Sequence, residues 1–305
     1  MTEASQLQTV LDGGGFAVTA ELGPPKGADL EVVRRKAEYL KGMVDAVNVT
    51  DNQTAVVRMS SIATCAILRE LGIEPVMQMV CRDRNRIALQ SDILGAYALG
   101  IRNILCLSGD HQRFGNHPEA KNVFDIDSIQ LIHTVRTMRD DRKFICGDDV
   151  EGAPRMFIGA AANPFSDPFE YRVRRLAKKV AAGAQFIQTQ CVYDLKKFRK
   201  WMEMVRDLGL HERTHILAGI TPLKSDGMAR YMRDHVAGVD VPDELIQRLR
   251  AAGKAAEEGI NIAIETIQEM KDVEGVHGAH LMAIEWEKKV PEIVERAGLL
   301  PREAQ

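Results

Sequence analysis

Two periodicities alternate along the chain. Short apolar runs rich in β-branched residues read as strands: FAVTAEL (16–22), VDAVNVT (44–50), EPVMQMV (74–80), RNILCLS (102–108), RMFIGAAA (155–162), AQFIQTQ (184–190), HILAGIT (215–221) and GVHGAHLM (275–282). Between them lie stretches in which apolar residues return every three or four positions, as on one buried helical face. DLEVVRRKAEYLKG, AVVRMSSIATCAILRELG and RIALQSDILGAYALG each close near a glycine, Gly42, Gly72 and Gly100, as helices commonly do. Residues 170–183, 194–209, 241–258 and 285–297 are helical intervals of the second half. The rhythm predicts an α/β fold, a (β/α)8 TIM barrel, as one domain over residues 1–305 with short terminal extensions. A doubly wound sheet shares the alternation, but its dinucleotide fingerprint places a glycine turn after the first strand. Here Gly13, Gly14 and Gly15 precede that strand and read as a conformational feature before the barrel.

Composition narrows the class. The 305 residues are 45% hydrophobic, enough to bury a large core. Forty basic against 43 acidic residues leave a formal charge of −3, which gives no global attraction for nucleic acid or an anionic membrane. The five cysteines, Cys65, Cys81, Cys106, Cys146 and Cys191, are scattered and include no CxxC pair, so neither a disulfide framework nor an internal iron-sulfur cluster is expected. No apolar run approaches the roughly 20 residues of a membrane span, and no signal core opens the chain. The expected setting is cytoplasmic.

In a barrel the chemistry collects where strands end and their loops begin. Glu21 ends the first strand in TAELGPP, where Pro24 and Pro25 supply an apolar wall that would raise a carboxyl pKa toward that of a proton donor. An ordinary strand-end carboxylate is the alternative. Thr50, Asp51 and Asn52 follow the second strand, with Gln53 and Thr54 read as caps of the next helix. Gln78 interrupts the third strand, and Arg82 and Arg84 in CRDRN suit phosphate or carboxylate recognition. LSGD ends the fourth strand, placing Asp110 as an acceptor before a long loop that suggests ligand contact. His111 and His117 lack a compact third ligand, and no metal is expected. In the sixth strand Gln188 and Gln190 interrupt an apolar run, so a buried amide there needs a partner, and Gln190 suits the edge of a heterocycle. Met77, Met79, Cys65 and Cys106 read as core filling.

TAELGPP, VNVT, IRNILCLSGD and AAGAQFIQTQCVYD, taken in order, resemble the methylenetetrahydrofolate reductase family of flavin-dependent (β/α)8 barrels over nearly the whole chain. The resemblance implies reduction of 5,10-methylenetetrahydrofolate to 5-methyltetrahydrofolate by hydride transfer from reduced flavin, with FAD as cofactor and FMN as the shorter alternative. It implies Glu21 as general acid, Asp110 beside flavin and pterin, and Gln190 against the folate. Thr50 matches a flavin-site threonine, Gln78 occupies a familiar histidine position, and Arg82 or Asp83 would help hold flavin. In AANPFSDPF, Ala161, Asn163 and Phe165 stand where an aromatic residue and a histidine are familiar. Lys179 matches a lysine that would balance flavin phosphate, against the reading of a solvated basic face shared with Arg174, Arg175 and Lys178.

GITPLKSDGM offers Leu223, Lys224 and Asp226 where familiar bacterial forms present an aromatic surface to the nicotinamide. The electron donor is therefore NADH or an iron-sulfur or zinc-containing partner subunit, with homo-oligomer and hetero-complex both open. Two competing readings are a pterin-binding methyltransferase barrel, which needs no flavin, and a noncatalytic flavin subunit of an electron-transfer complex.

Overall fold

The computed structural model describes residues 4–300. Eight parallel strands close into a barrel in sequence order: β1 (Ala17–Leu22), β2 (Ala46–Val49), β3 (Pro75–Val80), β4 (Asn103–Leu107), β5 (Phe157–Ala162), β6 (Phe186–Cys191), β7 (His215–Ile220) and β8 (Val276–Leu281). β8 pairs back onto β1, with Ala17 opposite Gly278 and Thr19 opposite His280. The expected (β/α)8 barrel is thus present, with every expected strand in place. The strands are buried on both faces, which is why they read as continuous apolar runs.

The helices are α1 (Gln6–Asp12), α2 (Leu30–Leu40), α3 (Ser61–Glu70), α4 (Arg86–Ala98), α5 (Ser128–Arg136), α6 (Phe169–Ala182), α7 (Leu195–Asp207), α8 (Asp226–His235), α9 (Asp243–Ala251), α10 (Ala255–Lys271) and α11 (Val290–Arg296). α7 shows why they form: Phe198, Trp201, Met202 and Val205 make one fully buried stripe, and the Asp194 side chain accepts from the Lys197 N–H at the first turn. Burying each such side chain contributes about 1.5–3 kcal/mol. Gly72, with φ 73°, ends the α3 turn in the left-handed region that a side chain rarely adopts. Met77, Met79, Cys65 and Cys106 lie in the layer between strands and helices, as core filling requires.

Three boundaries differ from expectation. The helix expected from residue 55 begins at Ser61, because Ser60 caps it through the Ala63 N–H and residues 52–60 form a loop. Gln53 and Thr54 are therefore not its caps. The interval 241–258 covers α9 and only the start of α10, which continues to Lys271; the two are broken around Gly253 and each buries its own apolar face. Residues of the seventh loop enter α8, capped by Ser225.

The barrel interior is tiered. At the amino-terminal end Ala17, Ala46, Val76, Phe157, Phe186 and Leu217 pack together, and Leu7 and Leu11 of α1 plug them from below. The Phe157 and Phe186 rings stack at 5.0 Å. The Phe186 ring occupies the place where a side chain of residue 159 would lie: a Cβ on Gly159 would stand 2.2 Å from it. Above is a polar tier of Thr19, Asn48, Gln188 and His280, all buried. Gly159→Ala is expected to destabilise the protein by about 1–3 kcal/mol through overpacking, measured by urea unfolding. Phe186→Leu in the same chain should recover part of that loss, whereas strictly additive effects would show that the two positions do not meet.

Candidate active site

A cleft of about 310 Å³ opens at the carboxyl-terminal ends of the strands, where barrel sites form. Its floor is the polar tier. Asn48 Nδ2 donates to Gln188 Oε1 at 2.7 Å, and Gln188 Nε2 donates back to Asn48 Oδ1 at 2.9 Å and to Thr19 Oγ1 at 3.1 Å. Thr19 Oγ1 lies 2.9 Å from His280 Nδ1. Burial pushes His280 down to about 3, so the ring is neutral at physiological pH. Gln188 thus finds the amide partner that its place in an apolar strand demanded.

Glu21, Gln78, Ala161, Asn163, Lys179 and Gln190 come together around this cleft. Glu21 keeps part of its surface open while protein encloses its carboxyl group. Burial raises its pKa from 4.5 to about 7, opposed by hydrogen bonds from the side chains of Gln53, at 3.3 Å, and Gln78. Glu287 adds to the rise and Lys36 opposes it. The turn beyond is fixed by the carbonyls of Pro24 and Pro25, which accept from the Arg58 guanidinium and the Met59 N–H. The carboxyl is therefore held at the boundary between acid and carboxylate, where a proton donor works best near neutrality.

The opposite wall is cationic. Arg172, Arg175 and Lys179 project from α6 beside Leu176, while Leu105, Leu107, Ala161 and Ala162 give an apolar strand face. Lys179 is buried, not part of a solvated face, and donates to the Ala161 carbonyl at 2.5 Å. Burial, then Arg175, lowers its pKa to about 8. Arg172 donates to the Ser166 carbonyl at 2.8 Å and to that of Asp167, whereas Arg175 is exposed and has no ion pair or hydrogen bond among the described residues. Gln190 Oε1 accepts from the Cys191 N–H at 3.0 Å, which fixes the amide at the cleft wall.

Thr50, Arg82, Asp83 and Asp110 do not line the cleft. Thr50 is buried at the end of β2, and its Oγ1 has no partner among the described residues. Arg82 is held by both Asp83 oxygens at 2.7 Å and by the carbonyls of Asn52 and Asp110. Arg84 pairs with Asp51 at 2.7 Å and Asp92 at 2.8 Å. Both arginines thus meet carboxylates of the protein itself and tie the loops after β2, β3 and β4 together. The Asp110 side chain is exposed on that rim. Phe165 is buried below the β5 loop and donates its N–H to Asn163 Oδ1.

Sequence reasoning did not single out Arg172, His280, Lys36 or Glu287, nor Gln53 in the role it holds. A polar residue within a strand pattern was the available signal for His280. Lys36 and Glu287 sit 251 positions apart and meet only through barrel closure, at 2.6 Å.

A family model described as methylenetetrahydrofolate reductase matches residues 6–298. Methylenetetrahydrofolate reductase 2 of Schizosaccharomyces pombe is 30% identical over 239 residues, which cover 75% of this chain and 36% of that protein. Methylenetetrahydrofolate reductase 2 of Saccharomyces cerevisiae is 28% identical over 245 residues, covering 77% and 38%. The chain spans less than half the length of these relatives. A solved structure from Clostridium thermocellum, described as an uncharacterized protein that binds two copies of 5-methyl-5,6,7,8-tetrahydrofolic acid, superposes with a TM-score of 0.66 at 14% identity, covering 97% of this chain and 100% of that one. At that identity the likeness is one of fold.

The raised pKa of Glu21 has a sign for stability. The folded state holds this proton more tightly than the unfolded chain, so its contribution is present below pH 4.5 and lost as pH rises through about 7. Glu21→Gln removes that loss. The stability difference, variant minus parent, is expected to widen between pH 4.5 and 7.5 by up to about 3 kcal/mol; a difference in unfolding midpoint that stays flat across this range would contradict the burial of the carboxyl.

Proposed function

The chain belongs to the methylenetetrahydrofolate reductase family, and on that footing we propose that it reduces 5,10-methylenetetrahydrofolate to 5-methyltetrahydrofolate with a bound flavin, FAD or the shorter FMN, in a cytoplasmic setting. The observation that carries the reading is Glu21: a carboxyl enclosed at the cleft wall, poised near neutrality and facing a cationic wall.

The cleft suits a flavin on its own chemistry. Ala161 and Ala162 leave a flat apolar face for a ring system, Gln78 and Gln190 offer amides to its polar edge, and Arg175, on α6 with Lys179, is a cation without a partner among the described residues. Asn163 at the start of the β5 loop would add a further polar contact. Thr50, with its unpartnered hydroxyl, and the Arg82–Asp83 pair would support the cofactor from the β2–β3 side. When bound, reduced flavin supplies hydride to the methylene carbon of the substrate.

The protein's part is to bind, orient and protonate. Glu21 donates its proton to the substrate nitrogen that leaves the methylene carbon as the five-membered ring opens, generating the electrophile that hydride attacks. Gln53 and Gln78 keep that carboxyl aimed. Gln190 holds the folate edge, and Asp110 on the rim recognises the guanidine-like edge of the pterin. Leu105 and Leu107 exclude water from the cationic electrophile. The fixed floor of Asn48, Gln188 and neutral His280 adds no charge beneath the reacting atoms.

The seventh loop bears on electron supply. Leu223 is fully buried, Lys224 donates to the Ile284 carbonyl at 2.8 Å, and Asp226 pairs with Arg230. None presents a ring on which nicotinamide can stack. This favours an iron-sulfur or zinc-containing partner chain over NADH as donor.

Reduced holoenzyme should be reoxidised by methylenetetrahydrofolate, seen as recovery of the visible flavin spectrum. Glu21→Gln, with fold and flavin retained, should slow this step at least 100-fold, within the usual worth of a general acid. An unchanged rate would remove Glu21 from the chemistry. A protein purified without flavin would favour the methyltransferase alternative, and flavin that is reducible but never reoxidised by folate would favour the noncatalytic one.

A further inference from the structure

Glu21 lines two cavities. One is the cleft; the other is a chamber of about 60 Å³, walled by Gly23, Lys36, Gln53, Arg58, Ala283, Ile284, Glu285 and Glu287. Glu21 is the one residue common to the two linings. The chamber holds a few water molecules by volume, and its walls supply the polar partners that ordered water requires. Arg58 Nε is buried without an acceptor among the described residues. At one side Lys36 bridges Glu287 at 2.6 Å and the Gly23 carbonyl at 3.2 Å. Ile284 and Glu285 are exposed, so the outer wall of the chamber faces bulk solvent.

From this geometry we propose that the chamber is the route by which the Glu21 proton is restored from solvent while folate fills the cleft, with the Lys36–Glu287 pair as its polar lining. The proposal rests on the reading of Glu21 as proton donor. Each turnover breaks the Glu21 O–H bond and forms an N–H bond on the substrate. The carboxylate then gains a new O–H bond as a proton passes along the chamber water, and the matching base remains in bulk solvent. Substrate filling the cleft would displace water from that side of the carboxyl, which leaves the chamber as its other open side.

The groups facing Glu21 are Lys36 from α2, Arg58 from the loop after β2, Cys191 at the end of β6, His280 of β8, Glu285 and Glu287 beyond β8 and, across the cleft, Arg172, Arg175 and Lys179 of α6. Of these, Glu287 raises its proton affinity and Lys36 lowers it. Glu287→Gln is a positioning change: it leaves the Lys36 charge in place and should move the alkaline limb of the folate-dependent reoxidation rate to lower pH.

The route is tested by infrared spectroscopy of holoenzyme at pH 6, below the value of about 7 to which burial raises Glu21. Its carboxyl stretch is identified by its absence from Glu21→Gln, and its exchange is followed after transfer to D2O with the cleft filled by 5-methyltetrahydrofolate. Exchange should persist in the parent and slow at least tenfold in Ala283→Leu, which fills the chamber, and in Ile284→Trp, which covers its exposed wall without touching the core. Exchange that stops in the parent once folate is bound, or that runs at the parent rate in a folded blocking variant, would overturn the proposal. The two readings fail separately: unchanged reoxidation in Glu21→Gln removes the catalytic role and leaves the exchange result standing.

Discussion

The site stands on a reciprocal amide pair. Asn48 of β2 and Gln188 of β6 reach across the barrel axis and exchange two hydrogen bonds, and Thr19 and His280 complete the tier from β1 and β8. Leaving one of these buried groups unpaired costs about 1–3 kcal/mol, so this tier is satisfied only when strands far apart in sequence close to the right separation. Below it the barrel is packed with side chains; above it the inward residues stop short of filling the axis. The polar tier is where packing ends and the cleft begins.

That floor also decides the electrostatics. Because His280 is held neutral, the charges that reach the cleft come from its walls: Lys179 and the α6 arginines on one side, Glu21 on the other. The formal charge of −3 conceals this separation. Lys179 is tied to the backbone of β5 and Arg172 to the loop after it, so these two cations are anchored to the barrel, whereas Arg175 stands exposed.

The architecture was legible because periodicity is local: a strand buried on both faces and a helix buried on one announce themselves within a dozen residues, and each expected strand formed. Glu21 and Gln190 near strand ends and Gln78 within one could be placed at the cleft because a polar residue in an apolar strand has few places to go. The helix starting at Ser61 was misread because the apolar residues of the preceding loop happen to extend its period, and the interval 241–258 because it runs α9 into the first turn of α10, which continues to Lys271. Lys36 and Glu287 were invisible, since nothing near either residue in the sequence specifies the other. Arg82 and Arg84 looked like free donors for the same reason: their carboxylates, Asp83 and Asp51, could be named, but the loop geometry that pairs them could not.

The absent side chain of residue 159 and the large one of residue 186 occupy a single volume. Their histories are consequently tied in order as well as in outcome. A lineage that shrinks position 186 before enlarging position 159 passes through an intermediate with a void at the bottom of the barrel. The remaining route runs through overcrowding. Either path passes through a less stable ancestor, so this corner of the barrel should change rarely and in pairs, while the loops above it remain free to explore new chemistry.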